Sequence, residues 1–251
     1  MAFFSNPKKK TLKRQPICSV VIAAAGTSNR MEGKDKLFHE LHGAPVIAHT
    51  LMAFQKCDLI DEIILVARED RFETLGETCK KFDIEKVDKI IIGGNTRLES
   101  VQNGVFAVSK NAGIIAIHDG ARPCVDEKII KNTIETAAKH HAAAPAVPVS
   151  STIKRVKANR ILETVEREDL VEIQTPQIFV AEVIKTALAN AFKKGIDITD
   201  DCKAVELIGF PVYITEGSRN NIKITSKEDL LIAEAILRKQ SEVVCRIATD
   251  Q

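Results

Sequence analysis

Apolar residues between positions 17 and 150 follow two alternating rhythms. Ile17–Ala24 is a near-continuous apolar run, the pattern of a strand buried on both faces of a parallel sheet. Pro45–Gln55 has helical spacing, with Val46, Ile47, Leu51 and Phe54 on one side. Glu62–Ala67 predicts the next strand, followed by a polar-rich helical stretch to about Phe82. Lys89–Ile92 predicts a short strand, and Arg97–Ser109 a helix striped by Leu98, Val101, Val105 and Val108. Gly113–Ile117 predicts another strand, and Asp126–His140 a helix with Asp126 as N-cap. Ala144–Val149 returns to extended structure, interrupted by Pro145 and Pro148. Such alternation implies a doubly wound α/β sheet with right-handed crossovers.

Residues 152–166 break the rhythm. Thr152–Val156 and Arg160–Val165 are β-prone and heavily charged, around Lys157-Ala158-Asn159. A hairpin with polar residues on both faces does not belong to a core; it lies on the surface as a flap or protrudes as an arm towards another subunit. A helix around 180–193, a short helix from Asp201 to Leu207, a strand Pro211–Thr215 and a final helix from Lys227 follow. Ser226 and Asp229 form a capping-box pattern ahead of that last helix.

Composition narrows the class. With 45% apolar and 28% charged residues over 251 positions, the chain has the makeup of a globular protein with one large or two small domains. No apolar run reaches the roughly 18–20 residues of a membrane span. The net charge of +2 is uneven: residues 1–16 hold Lys8, Lys9, Lys10, Lys13 and Arg14 with no acidic residue. Setting those five aside leaves 31 basic residues against 34 acidic ones, so the body carries no nucleic-acid footprint. The basic segment lacks the apolar stretch of a secretory signal and reads as a disordered leader. Six cysteines, with 21 residues between the closest pair, give neither zinc-ligand spacing nor a disulfide framework; reduced thiols of a cytoplasmic protein are expected.

Three stretches carry chemistry, each directly after a predicted strand. Ala23-Ala24-Ala25-Gly26-Thr27-Ser28-Asn29-Arg30 lets a ligand approach the backbone, and Arg30, Lys34 and Lys36 make the following loop cationic, as suits a polyphosphate. It contains neither GxGxxG nor GxxxxGK[ST], and Ala67-Arg68 ends the second strand where a dinucleotide-binding protein carries an acidic residue. Gly93-Gly94-Asn95-Thr96-Arg97 opens a helix, where glycines permit positive φ and the helix start attracts anions. His118-Asp119-Gly120-Ala121-Arg122-Pro123 places a carboxylate suited to a metal or a ribose. Singly, each stretch is equally compatible with a tight turn, a capped helix or a solvated surface.

Together with Val147–Arg155, Thr164–Arg167, Thr175-Pro176-Gln177, Thr199-Asp200-Asp201 and Asn221–Thr225, these stretches stand in the order seen in 2-C-methyl-D-erythritol 4-phosphate cytidylyltransferases of the non-mevalonate isoprenoid pathway. The chain resembles that family from about Ile17 to Arg238. The resemblance implies a Rossmann-like, mostly parallel sheet with helices on both faces and a protruding β-hairpin arm. It also implies CMP transfer from CTP to a polyol phosphate, with Mg²⁺ and release of pyrophosphate. By the same resemblance Arg30 and Lys36 steady charge at the α-phosphate, and Arg167 and Lys223 complete the catalytic set. Ala24, Ala25, Gly26, Thr27, Gly94, Asn95, Arg97, Ser100 and Asp119 would bind CTP, with Asp119 near the metal. Thr152, Arg167, Thr175 and Lys223 would hold the sugar phosphate, and the hairpin would reach across a homodimer. The implied plan is a leader over 1–16, a nucleotidyltransferase domain over 17–240 with its arm at about 150–168, and a tail over 241–251. The chain stops after the last helix, so no second catalytic domain is expected.

The sequence departs from the family's commonest wording at Ser28, at Asp35-Lys36-Leu37 and at Asn95, which leaves Lys34 as a rival to Lys36. The attacking group would be a phosphate oxygen, ionised near neutral pH because a phosphomonoester's second pKa is about 6. No general base is needed, and no Ser/His/Asp set is present. Two alternatives remain at this level: a cytidylyltransferase for another polyol phosphate such as ribitol 5-phosphate, and a non-catalytic nucleotide-binding protein of the same fold.

Overall fold

The computed structural model describes residues 17–26 and 35–249, with side chains through residue 242. The chain runs β1 (Ile17–Ala23), β2 (Glu40–Leu41), β3 (Ala44–Pro45), α1 (Val46–Lys56), β4 (Glu62–Ala67), α2 (Phe72–Lys81), β5 (Val87–Ile92), α3 (Arg97–Ala107), β6 (Ala112–Asp119), α4 (Glu127–His140) and β7 (Ala142–Pro148). It continues with β8 (Ile153–Lys157), β9 (Arg160–Val165), β10 (Val171–Ile173), β11 (Gln177–Val180), α5 (Ala181–Lys193), α6 (Asp201–Glu206), β12 (Tyr213–Glu216) and α7 (Lys227–Thr249). Helix α7 thus runs past residue 240. Among the described residues no helix is long and apolar enough to cross a membrane.

An eight-stranded sheet in the order β10-β7-β11-β6-β1-β4-β5, with β12 also on β7, forms the centre. Strands β6, β1, β4 and β5 are mutually parallel. Their continuous apolar runs are explained by the pleat, which sends successive side chains to opposite faces. Val20, Ile22, Ile63, Leu65, Ile114 and Ala116 pack with α1, α2, α4 and α7. Val21, Ile64, Val66, Ile115 and Ile117 pack with α3, α5 and α6. Helices therefore cover both faces, as the alternation of elements implies.

The periodicity did not reveal β10 and β11. Both pair antiparallel with β7, on either side of a break at Thr175–Pro176, where the peptide is cis, and β11 also pairs antiparallel with β6. Across the break Gln174 N–H donates to the Pro145 carbonyl at 2.8 Å. Between β7 and β10 the chain leaves the sheet to make β8 and β9, a two-stranded sheet of their own. Its stem is closed by the Pro148–Val171 pairing and by Val149 N–H donating to the Leu170 carbonyl at 3.2 Å. Ala158 (φ 47°) and Asn159 (φ 60°) supply the two left-handed residues that a tight hairpin turn requires. The arm is less polar than its sequence reading: Val156, Ile161 and Leu162 are exposed along it.

The expected caps are in place. Asp126 accepts from Ile129 N–H at 2.8 Å, and Asp229 accepts from Ser226 N–H at 2.8 Å.

Candidate active site

From β1 the chain passes to β4 and β5 on one side, then returns to β6 on the other. The crevice outside the carboxyl ends of β1 and β6 is the topological switch point, where sheets of this kind accept ligands. Ala23 pairs with Asp119 there. Gly120 N–H donates to the Ala23 carbonyl at 2.9 Å, Ala24 N–H to Val66 at 2.8 Å and Gly93 N–H to Ala67 at 2.9 Å, so the loops leaving these strands begin side by side. Around them opens a cleft of about 500 Å³, a size suited to a small ligand.

The cleft gathers residues from across the chain. Ala24, Ala25, Gly26, Lys36, Gly94, Asn95, Arg97, Ser100, Asp119 and Lys223 all line it. Thr27, Arg30 and Lys34 lie outside the described residues. A larger groove of about 1240 Å³ between α1 and α7 contains none of the residues given a catalytic or binding role above.

The second loop approaches the first because Gly93 lacks a side chain, and it closes on the start of α3 because Gly94 does. A Cβ on Gly93 would stand 2.4 Å from the Ala25 Cβ, and one on Gly94 would stand 2.2 Å from the Glu99 Cβ. Neither glycine has a positive φ, so the pair serves close approach and not the left-handed backbone that the sequence suggested. Ser100 Oγ accepts from Gly94 N–H at 3.0 Å and Glu99 accepts from Asn95 N–H at 2.6 Å, fixing the loop against the start of α3.

Asp119 is the electrostatic focus. Its Oδ2 lies 3.0 Å from Lys223 Nζ and 3.2 Å from Arg122 Nε. Burial raises its pKa, but Lys223 and Arg122 together outweigh that and bring it down to about 2. The segment carrying Lys223 is strapped in place: Arg122 donates to the Asn221 carbonyl at 2.7 Å, and Ile224 N–H donates to the Ala121 carbonyl at 2.8 Å. Lys36 Nζ donates to the Ile224 carbonyl at 2.9 Å, which brings the cations 36 and 223 to one strap.

Beneath Asp119 the polar groups form a chain. Its N–H donates to Thr175 Oγ1 at 3.2 Å; Thr175 Oγ1 lies 3.0 Å from His118 Nδ1; His118 Nε2 lies 3.3 Å from the Arg122 carbonyl. A carbonyl only accepts, so Nε2 carries the proton and the Thr175 hydroxyl donates to Nδ1. Burial lowers the His118 pKa to about 3, keeping the ring neutral. His118 is structural, and Thr175 is buried with its hydroxyl engaged.

Arg97 is anchored from below. It makes a two-pronged contact with Asp201, at 2.9 and 2.7 Å. Burial disfavours both charges, and for Arg97 the Asp201 carboxylate outweighs burial and raises its pKa. Gln177 Oε1 accepts from the backbone N–H groups of Asp201 and Cys202 at 2.8 and 2.9 Å, seating the α6 start that presents the carboxylate.

Thr152 and Arg167 are exposed at the base of the arm and do not line the cleft. Arg167 donates to the Ser150 carbonyl at 2.5 Å. Three residues near the cleft received no role from the sequence: Arg68, which lines it; Asp201, quoted only within the stretch Thr199-Asp200-Asp201, which holds Arg97; and Arg71, buried behind the first loop. Arg68 and Arg71 sit in a charged stretch, and no spacing marks them. Buried thiols supply no nucleophile, since burial pushes Cys18 and Cys124 up to about 12.

The donor set suits a hard cation held chiefly by phosphates. Among the described residues no three His, Cys, Asp or Glu groups converge, and Mg²⁺ commonly binds through one carboxylate plus substrate oxygens and water. Asp119 fits that role.

The family model described as 2-C-methyl-D-erythritol 4-phosphate cytidylyltransferase matches residues 18–239. The protein of that name from Halalkalibacterium halodurans is 47% identical over 223 residues, covering 88% of this chain and 97% of the relative. The crystal structure of a 4-diphosphocytidyl-2C-methyl-D-erythritol synthase from Anaerococcus prevotii superposes with a TM-score of 0.78 at 29% identity, over 88% of this chain and 96% of that one. A 2-C-methyl-D-erythritol 4-phosphate cytidylyltransferase from Thermus thermophilus gives 0.74 at 30% identity, over 87% and 98%.

Proposed function

This chain belongs to the 2-C-methyl-D-erythritol 4-phosphate cytidylyltransferase family, and from that premise we propose how its residues divide the reaction. The chain is a cytidylyltransferase: it transfers CMP from CTP to 2-C-methyl-D-erythritol 4-phosphate, forming 4-diphosphocytidyl-2-C-methyl-D-erythritol and pyrophosphate. Ribitol 5-phosphate is not favoured, since the family model and the relatives carry the methylerythritol name.

The observation that carries the division of labour is the single cleft uniting Gly26, Lys36, Gly94, Asp119 and Lys223 from five separate stretches. In this reading Ala24, Ala25, Gly26 and Thr27 with Gly94, Asn95, Arg97 and Ser100 hold the cytidine and triphosphate. Lys36 and Arg30 stabilise charge at the α-phosphate. Asp119 would hold Mg²⁺, which when bound neutralises phosphate charge. Lys223 and Arg167 hold the attacking phosphate, with Thr152 beside the arm, and Thr175 serves the sugar-phosphate side from beneath Asp119.

The nucleophile needs no base, because a phosphomonoester is dianionic above its second pKa of about 6. Catalysis is then positioning and preorganised charge. Lys36 bonds to the strap that carries Lys223, so the fold itself brings both cations to the cleft. We read the arm, with its exposed Val156, Ile161 and Leu162, as packing on a second copy of the chain in a homodimer of cytoplasmic enzyme. The domain limits of 17–240 stay part of this reading; residues 1–16, expected as a basic leader, lie outside the described residues.

The test is pyrophosphate release with CTP, ATP, GTP and UTP, each against methylerythritol phosphate and ribitol 5-phosphate, with and without Mg²⁺. The expected active pair is CTP with methylerythritol phosphate, dependent on the metal. Faster turnover of ribitol 5-phosphate would overturn the substrate assignment.

A further inference from the structure

Arg71 lies in the turn after β4, outside every stretch that carries the family resemblance, and its side chain is only 7% exposed. Its guanidinium reaches across to the β1 loop. One nitrogen, NH1, donates to the Ala24 carbonyl at 2.9 Å and to the Gly26 carbonyl at 3.3 Å. The other, NH2, lies 2.6 Å from Asp35 Oδ2. Asp35 in turn accepts from Leu37 N–H at 3.1 Å, capping the short helical turn 36–38 that carries Lys36.

These contacts tie together two parts of the cleft that belong to different stretches of backbone. In a trans peptide the N–H points opposite the carbonyl. Holding the Ala24 carbonyl therefore directs the Ala25 N–H away from Arg71, and Ala25 lines the cleft. The same side chain fixes the residue next to Lys36. We infer that Arg71 is a positioning residue for the nucleotide half of the reaction: its planar guanidinium sets the Ala24–Gly26 backbone and the Lys36 turn at a fixed separation. It touches no substrate. A lysine does not replace it, because an ammonium is a point charge without the fork that reaches two carbonyls and a carboxylate at once.

This inference rests on the reading of the cleft as the CTP site, and the experiment separates the two. Purified Arg71→Met, Arg71→Lys, Asp35→Asn and Arg71→Met/Asp35→Asn chains are assayed for kcat and for KM of each substrate, with thermal melts to confirm folding. A misplacement on the scale of 1 Å away from the chemistry costs up to about 10²-fold. Arg71→Met should therefore lose on the order of 10²-fold in kcat/KM for CTP, while KM for methylerythritol phosphate changes by less than about threefold. Arg71→Lys should recover little of the loss. Asp35→Asn should fall in the same direction, and the double variant should be no worse than Arg71→Met, since both act through one contact.

A folded Arg71→Met with kcat/KM for CTP within about threefold of the parent overturns the inference. So does an equal rise in KM for both substrates, which would mark a general loss of structure. If Arg71→Met does not fold, Asp35→Asn decides by the same criterion. Lys36→Ala and Lys34→Ala are the controls: if both are fully active, the cleft reading fails; if either is crippled while the Arg71 and Asp35 variants are normal, only this inference fails.

Discussion

Lys223 and Asp119 meet at 3.0 Å with unequal exposure, the lysine 43% exposed and the carboxylate 13%. A solvent-facing cation thus caps a sheltered anion. Arg122, at 3.2 Å and 12% exposed, holds the same carboxylate from the sheltered side.

This pairing has a pH signature. The folded Asp119 carboxyl is held at about 2, below the roughly 3.9 of a free side chain. A depressed carboxyl contributes stability above its unfolded pKa and loses it as pH falls through the folded one, here about 2 kcal/mol lost between about pH 4 and 2. Lys223→Ala should therefore be less stable than the parent near neutral pH, with the gap closing as pH approaches 2. Urea denaturation across that range checks it; a gap independent of pH would mean that Lys223 stabilises by packing.

Lys36→Ala should lower kcat by about 10²–10³, the usual loss of one preorganised charge-stabilising donor, with a much smaller effect on KM for the sugar phosphate. Steady-state kinetics beside Lys34→Ala assigns the loop. A crippled Lys34→Ala and a nearly normal Lys36→Ala would transfer the role to Lys34.

Removing Asp201 strands Arg97. Asp201 is fully buried and the contact is two-pronged, so Asp201→Ala should cost about 3–5 kcal/mol, the range for breaking one side of a buried ion pair. Chemical denaturation measures it, and KM for CTP should rise in the same variant. A loss under about 1 kcal/mol, the value of a surface pair, would show that the two side chains part freely.

Subunit mixing tests the arm. If Arg167 serves the partner's cleft, Arg167→Ala and Lys36→Ala chains, each inactive alone, should regain activity when mixed, because one composite site per mixed dimer keeps both residues. Light scattering checks that dimers form. Heterodimers without activity would place Arg167 in its own subunit's site.

The parts of the fold visible in the sequence are those whose burial is symmetrical. Ile17–Ala23, Glu62–Ala67 and Ala112–Asp119 are covered on both faces and read as mostly apolar runs. Strands β10 and β11 were not visible: they are three and four residues long, separated by Gln174-Thr175-Pro176, and their antiparallel pairing depends on β7 lying alongside. The cleft was legible where glycine or a charge follows a strand. The roles of Arg71 and of Asp201, the latter already quoted within its stretch, were not, because each acts through a contact set by the fold, 47 and 104 residues away in the chain from Ala24 and Arg97.

The closed stem of the hairpin, where Pro148 pairs with Val171 and Val149 bonds to Leu170, makes the arm a detachable module in the evolutionary sense. Entry and exit strands are neighbours, so the excursion can lengthen, shorten or change its aliphatic tip without shifting the register of any strand at the cleft. The aliphatic tip beyond Thr152 and Arg167 can then diverge in length and sequence while the strands that shape the cleft keep their register.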